Sequence, residues 1–95
     1  MPRLDPQGRF VIPFEFRANL PKGPTYLAFC YDFDKKAIYL HNGCNCDDEA
    51  VICKRKMDPK GRIAFPIDCI NIINASSEDF FIVFLQNNKI YIRKK

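Results

Sequence analysis

A mostly β domain built from two tandem copies of one unit is the fold this chain predicts, and two observations carry that prediction. The ten residues LDPQGRFVIP (4–13) return 53 positions later as MDPKGRIAFP (57–66). Each copy is then followed by the same succession: a proline, a short helix-compatible stretch, a loop, and two aromatic, β-branched runs flanking a polar turn. Supersecondary units repeated at this scale bury their apolar faces against one another, so residues 1–95 are read as one domain of two halves. Repeat 1 covers 1–41, a linker covers 42–53, and repeat 2 covers 54–95.

The first element of each unit is a tight bend. Asp5/Asp58, Pro6/Pro59, Gly8/Gly61, Arg9/Arg62 and Pro13/Pro66 are identical, and Leu4/Met57, Phe10/Ile63 and Ile12/Phe65 keep apolar character. Asp in the first turn position caps backbone donors, Pro in the second presets φ, and Gly in the fourth accepts a left-handed backbone. The second element is a helix of about two turns, PFEFRANLP or PIDCINIIN. Pro suits the first helical position, and Glu15 and Asp68 place negative charge where the helix dipole favours it. Phe16/Leu20 and Cys69/Ile73, four apart, give each piece one apolar stripe. The third element is a β-hairpin, TYLAFCYDFDKKAIYLH around Asp34-Lys35-Lys36 and DFFIVFLQNNKIYIRKK around Gln86-Asn87-Asn88. The linker has no counterpart in the other half, although residues 50–57 read as a strand leading into the second bend. A matching strand before the first bend is largely missing from the sequence, which predicts an exposed sheet edge or one covered by a partner.

Composition narrows the function. With 47% hydrophobic and 27% charged residues, the chain is an ordinary globular domain. Its longest apolar runs, such as 80–85, are strand-sized, well short of the roughly 20 residues a membrane span needs. No charged-then-apolar signal segment opens it, so the expected location is the cytoplasm, with reduced thiols and no membrane partner. The net charge of +4 is unevenly spread: residues 1–53 carry six Lys/Arg against seven Asp/Glu, and residues 54–95 nine against four. Lys54, Arg55, Lys56, Lys60 and Arg62 crowd together, a concentration that attracts polyanions.

Each bend is followed at once by an arginine. Arg9 and Arg62 are therefore expected on two protrusions, with Arg3 and Lys56 on the approaching segments, related by an approximate internal two-fold. An arginine fork takes phosphate oxygens or the N7/O6 edge of guanine, and two forks at fixed separation suit the repeating groove of a duplex. Double-stranded DNA is the partner this pattern indicates.

These residues also carry a resemblance. LDPQGRFVIPFEFRANL resembles the DNA-binding element of AbrB-type transition-state regulators: Asp, a short turn, Gly-Arg, an apolar run, Pro, then a helix bearing Arg. The tandem copy resembles the MraZ branch, in which two such repeats share one polypeptide. The resemblance implies a swapped-hairpin β-barrel, sequence-directed DNA binding for transcription regulation, and self-assembly into a homo-oligomer. It assigns Arg9 and Arg62 as loop cations, Arg3 and Lys56 as strand cations, and Arg17 as the helix cation. From the local basic density, Lys54, Arg55, Lys56 and Lys60 are expected to neutralise phosphates nearby. Repeat 2 departs from it, since Ile70 stands where repeat 1 has Arg17, and the extra helices of MraZ proteins are not visible. The alternative reading is a protein-interaction or antitoxin-like module that keeps the barrel and has lost DNA binding.

His41, Cys44, Cys46 and Cys53 offer four N/S groups within thirteen residues, the number a tetrahedral zinc site needs. Cys-x-Cys spacing is wrong for the usual knuckle, and reduced thiols without metal are the expectation. Cys30 and Cys69 lie in apolar runs and read as core. With one histidine, no phosphate-cradling glycine loop and the Cys/His candidates in an unpatterned segment, neither an enzyme nor a cofactor is expected.

Overall fold

The computed structural model describes residues 3–18, 25–41, 51–76, 78–87 and 89–95. Along the chain run β1 (Arg9–Val11), α1 (Phe14–Arg17), β2 (Thr25–Asp32), β3 (Ala37–His41), β4 (Val51–Met57), β5 (Arg62–Ala64), α2 (Ile67–Ile72), β6 (Phe81–Gln86) and β7 (Lys89–Lys94). The expected succession of turn, short helix and hairpin is present twice. Both helices are shorter than the two turns expected from sequence, and Leu20, half of one expected stripe, lies outside the described residues, as do 42–50 of the linker. The strand expected to lead into the second bend is β4.

Two antiparallel sheets result. β1 pairs with β5 as a two-stranded ribbon, and the other strands form a five-stranded sheet ordered β4-β2-β3-β7-β6. Their ladders remain separate and do not close into a barrel among the described residues. The repeats interlock: β4, running from the linker into repeat 2, pairs with β2 of repeat 1, and β3 meets β7 across the middle.

The ribbon and the two hairpins joined at β3 and β7 pair symmetrically about an internal two-fold. Phe10 faces Ile63 in the ribbon, its own equivalent 53 positions on, and Tyr39 faces Tyr91 in the sheet. The hairpin turns use left-handed residues, Lys36 at φ 52° and Asn87 at φ 53°, where asparagine is well tolerated.

Alternation along the strands decides what is buried. Phe10 and Ile63 point inward from the ribbon and meet Leu27, Phe29, Ile38, Leu40, Phe81, Ile90 and Ile92 from the inner sheet face. Phe10 lies edge-on to Phe81 at 5.8 Å between ring centroids, and Phe29 edge-on to Phe65 at 5.5 Å, arrangements that add favourable quadrupole contact to area burial. Cys30 and Cys69 are core, as read from sequence. On the outer sheet face Tyr39 and Tyr91 touch at 5.4 Å, and each carries a lysine ammonium from the other repeat's hairpin: Lys89 over Tyr39 and Lys35 over Tyr91. These cation–π contacts tie the two hairpins across the seam.

Candidate nucleic-acid interface

Each Asp-Pro-x-Gly-Arg bend is organised by its aspartate. In turn 1 the Asp5 carboxylate accepts the Gln7 and Arg9 backbone N–H groups at 2.9 and 2.8 Å. Its other oxygen accepts Arg9 Nε at 2.9 Å. Turn 2 repeats this: Asp58 accepts Lys60 N at 2.9 Å, Arg62 N at 2.8 Å and Arg62 Nε at 2.7 Å. The Gly8 and Gly61 N–H groups close the bends onto the Asp5 and Asp58 carbonyls. Both glycines take the left-handed backbone the bend demands, at φ 78° and 81°. The Arg9 N–H foremost, aided by the Arg9 side chain and the Gln7 N–H, holds the Asp5 carboxyl below its ordinary value; Arg62 and Lys60 do the same for Asp58.

The arginines are therefore not the unaccompanied cations the sequence suggested. Each is ion-paired through Nε to the aspartate four residues earlier and remains about one-third exposed. Nε is the inner nitrogen of the fork, and among the described residues the outer Nη groups carry no hydrogen bond, so they stay available to an acceptor. The i,i+4 spacing of Asp and Arg is visible in the sequence, yet there it reads only as turn chemistry.

The ribbon sets the relation between the turns. With Phe10 and Ile63 inward, Arg9, Val11, Arg62 and Ala64 share the outward face. Arg9 stands opposite Ala64 and Arg62 opposite Val11, so the two arginines are diagonal neighbours at a backbone separation of about 7–8 Å. Gly8 O accepts Phe65 N and Gly61 O accepts Ile12 N, which puts the bends at opposite ends of a ribbon five paired positions long, about 14 Å. That is far less than the roughly 34 Å between successive turns of a duplex groove.

Arg17 crosses between the repeats. Its stem lies over Gly61, where an added Cβ would come within 2.6 Å of Arg17 Cδ and 2.8 Å of Nε. Its Nε is buried without a hydrogen-bond partner, and its guanidinium sits 5.4 Å from the Phe14 ring centroid. Arg17, Lys60 and Arg62 thus gather at turn 2. At turn 1 the corresponding space over Gly8 holds nothing within 4 Å. Arg3 stands apart, over the Phe80 ring at 5.5 Å. Arg55 and Lys56 are exposed on β4, the strand running into turn 2, with Arg55 Nη1 donating to Lys54 O at 3.0 Å.

Two residues the sequence reading passed over complete this face. Phe14 and Ile67, at matching positions after the two prolines, are 79% and 66% exposed. Lying off the apolar helix stripe was the available signal. The turn-and-helix face also carries four acids, Asp5, Glu15, Asp58 and Asp68, against Arg9, Arg17, Lys60 and Arg62. A basic excess lies beside it on β4, in Lys54, Arg55 and Lys56.

The thiols and the histidine do not converge. Among the described residues no group of three or more His, Cys, Asp or Glu is placed to hold a metal ion; Cys44 and Cys46 lie outside those residues. Burial pushes the Cys69 thiol up to about 12 and raises that of Cys53, disfavouring the thiolate that metal binding or nucleophilic attack requires. His41 is half-buried at the end of β3. Its Nε2 lies 3.4 Å from Cys30 Sγ, and burial foremost, with Lys89 and Lys54, lowers its pKa. No helix among the described residues is long and apolar enough to cross a membrane.

No protein-family model matches the chain, and no curated protein and no solved structure matches it significantly.

Proposed function

We propose that this protein is a small DNA-binding regulator of the AbrB/MraZ type, acting in the cytoplasm as a swapped-hairpin scaffold whose two halves come from one chain. The carrying observation is the pair of congruent Asp-Pro-x-Gly-Arg turns at opposite ends of one antiparallel ribbon, with Arg9 and Arg62 on its outward face. The interlocking of β4 with β2 and of β1 with β5 supports the swapped arrangement.

A two-stranded ribbon fits within a major groove about 12 Å wide, and the short span between the turns favours one groove over two. In that pose the Nη groups of Arg9 and Arg62 meet base edges or phosphates. Val11, Phe14 and Ile67 supply apolar contact of the kind thymine methyls accept. Arg17 and Lys60 reinforce turn 2, while Arg55, Lys56 and, beside turn 1, Arg3 meet flanking phosphates. Neutralising about five phosphates gives a slope of log affinity against log salt near −4 to −5. Fluorescence anisotropy with a mixed-sequence duplex measures that slope directly, and absence of binding even at about 50 mM salt would rule the proposal out.

A second reading rests on the charge balance of the turn-and-helix face. Four acids against four bases, with Phe14 and Ile67 exposed, suits a protein-interaction or antitoxin-like module as well as a nucleic-acid reader. The double variant Arg9→Ala/Arg62→Ala separates the two: it abolishes function in cells if DNA is the partner and leaves it unchanged if the scaffold alone matters.

A further inference from the structure

We infer that the cleft between the first hairpin turn and the C-terminal end of α2 is a binding site for a free nucleotide. Its volume is about 550 Å³, and Tyr31, Lys36, Ile72, Asn74, Arg93 and Lys94 are among the residues that line it. That volume suits one small organic ligand. None of these residues belongs to the ribbon or its turns, so the cleft stands or falls independently of the duplex-binding face.

Chain topology brings the cations together. Ile38 pairs with Ile92 at the end of the β3–β7 ladder, so Arg93 and Lys94 run on beside the turn that carries Lys35 and Lys36. Lys94 Nζ reaches the carbonyl of Asn74, just beyond α2, at 2.9 Å. That contact closes the far wall and offsets the negative end of the helix, and it uses one of three ammonium donors. Lys35, Lys36, Arg93 and Lys94 thus border the cleft against one acid, Asp34. Lys35 holds its ammonium over the Tyr91 ring. Lys36 and Arg93 have no ion pair among the described residues, and a phosphate group would supply one.

The fold does not require these charges. The matching positions of the other repeat, Gln86-Asn87-Asn88 and His41-Asn42, contain no lysine or arginine. Asn87 takes at φ 53° the same left-handed backbone that Lys36 takes at 52°, and asparagine is the more at ease there. The apolar wall then selects what carries the phosphate. Tyr31 stands edge-on to Phe33 at 4.8 Å between ring centroids; Phe33 is 82% exposed and Ile72 45%. Exposed aromatic surface beside cations stacks a planar base while the cations hold its phosphates.

A two-dimensional NMR titration of the labelled chain with adenosine triphosphate to about 5 mM tests this, beside adenosine and inorganic tripolyphosphate. The amides of Lys36, Asn74 and Lys94 should shift and saturate. Stacking should make the nucleotide bind about fivefold or more tightly than tripolyphosphate, and adenosine alone should bind more weakly than the nucleotide. Lys36→Asn, which keeps a left-handed turn as Asn87 does, should weaken nucleotide binding about tenfold. Adding Arg93→Gln should abolish it, with circular dichroism confirming that both variants are folded. Absence of saturable shifts, affinity matched by tripolyphosphate or by adenosine, or affinity indifferent to Lys36→Asn would each overturn the site. Shifts centred on Gly8 and Gly61 would do so too, by placing the phosphates on the turns.

Discussion

Turn 1 and turn 2 hold their aspartates alike, with every matching hydrogen bond agreeing to within 0.2 Å, and diverge in everything that surrounds those bonds. Over Gly61 lies Arg17 from the other repeat, whereas the space over Gly8 is open because Ile70 stands where a second arginine would. Three cations precede turn 2; before turn 1 the sequence offers only Arg3. A duplicated motif can thus keep its geometry through short-range hydrogen bonds while its function becomes concentrated in one copy. Under the DNA-binding proposal, turn 2 is the principal contact and turn 1 the lesser.

The largest effect expected from that asymmetry is at Arg62. Arg62→Ala should weaken duplex binding by about 1–3 kcal/mol, more than Arg17→Ala, whose stem packs over Gly61 with its Nε buried, and more than Arg9→Ala. Titrations of the three variants at one salt concentration give the order. If Arg17→Ala proves the most damaging, the principal contact has been placed on the wrong side chain.

Next come the glycines. Gly8→Ala and Gly61→Ala each force an L-residue into left-handed backbone, a penalty of about 1–2 kcal/mol in thermal or denaturant unfolding. Only Gly61→Ala also displaces Arg17, so it alone should reduce DNA affinity beyond its effect on stability. Introducing Arg17→Ala should remove that difference, as a double-mutant cycle would record.

Smaller still is the gain from Ile70→Arg, which supplies the cation missing over turn 1. It should steepen the salt slope by about one and narrow the gap between Arg9→Ala and Arg62→Ala. An unchanged slope would mean that turn 1 never approaches the phosphates.

Acidification should treat the turns equally. Both aspartates have depressed pKa values in the folded state. Their contribution to stability is fully present above the ordinary carboxylate value near 4 and is lost as pH falls through the lower folded value. Asp5→Asn and Asp58→Asn should each flatten this acid limb by the same amount in pH-dependent unfolding. Unequal flattening would show that the turns are not equivalent even at their aspartates.

What the sequence made legible follows the range of the interactions. The Asp-Pro-x-Gly bends, the prolines opening α1 and α2, and both hairpins rest on contacts a few residues apart, and all are found where the letters place them. The pairing of Phe10 with Ile63 was implied by the duplication only as burial of one half against the other; its register depends on contacts more than fifty residues apart. Arg17 was legible as a cation but not as one lying across Gly61, because nothing near position 17 names its partner. The Asp–Arg ion pairs were hidden for a different reason: the aspartate had an adequate role as a backbone cap. The spacing of the two bends was not legible, because it depends on the ribbon's length and antiparallel direction.

The most direct test is a two-dimensional NMR titration of the labelled protein with a short mixed-sequence duplex at low salt, following the backbone amides of the turns. Both Gly8 and Gly61 should shift on binding, Gly61 the more strongly, together with Val11 and Ala64 between them. Perturbations confined to the outer sheet face around Tyr39 and Tyr91, or none at all, would contradict the proposed role of the ribbon and its turns.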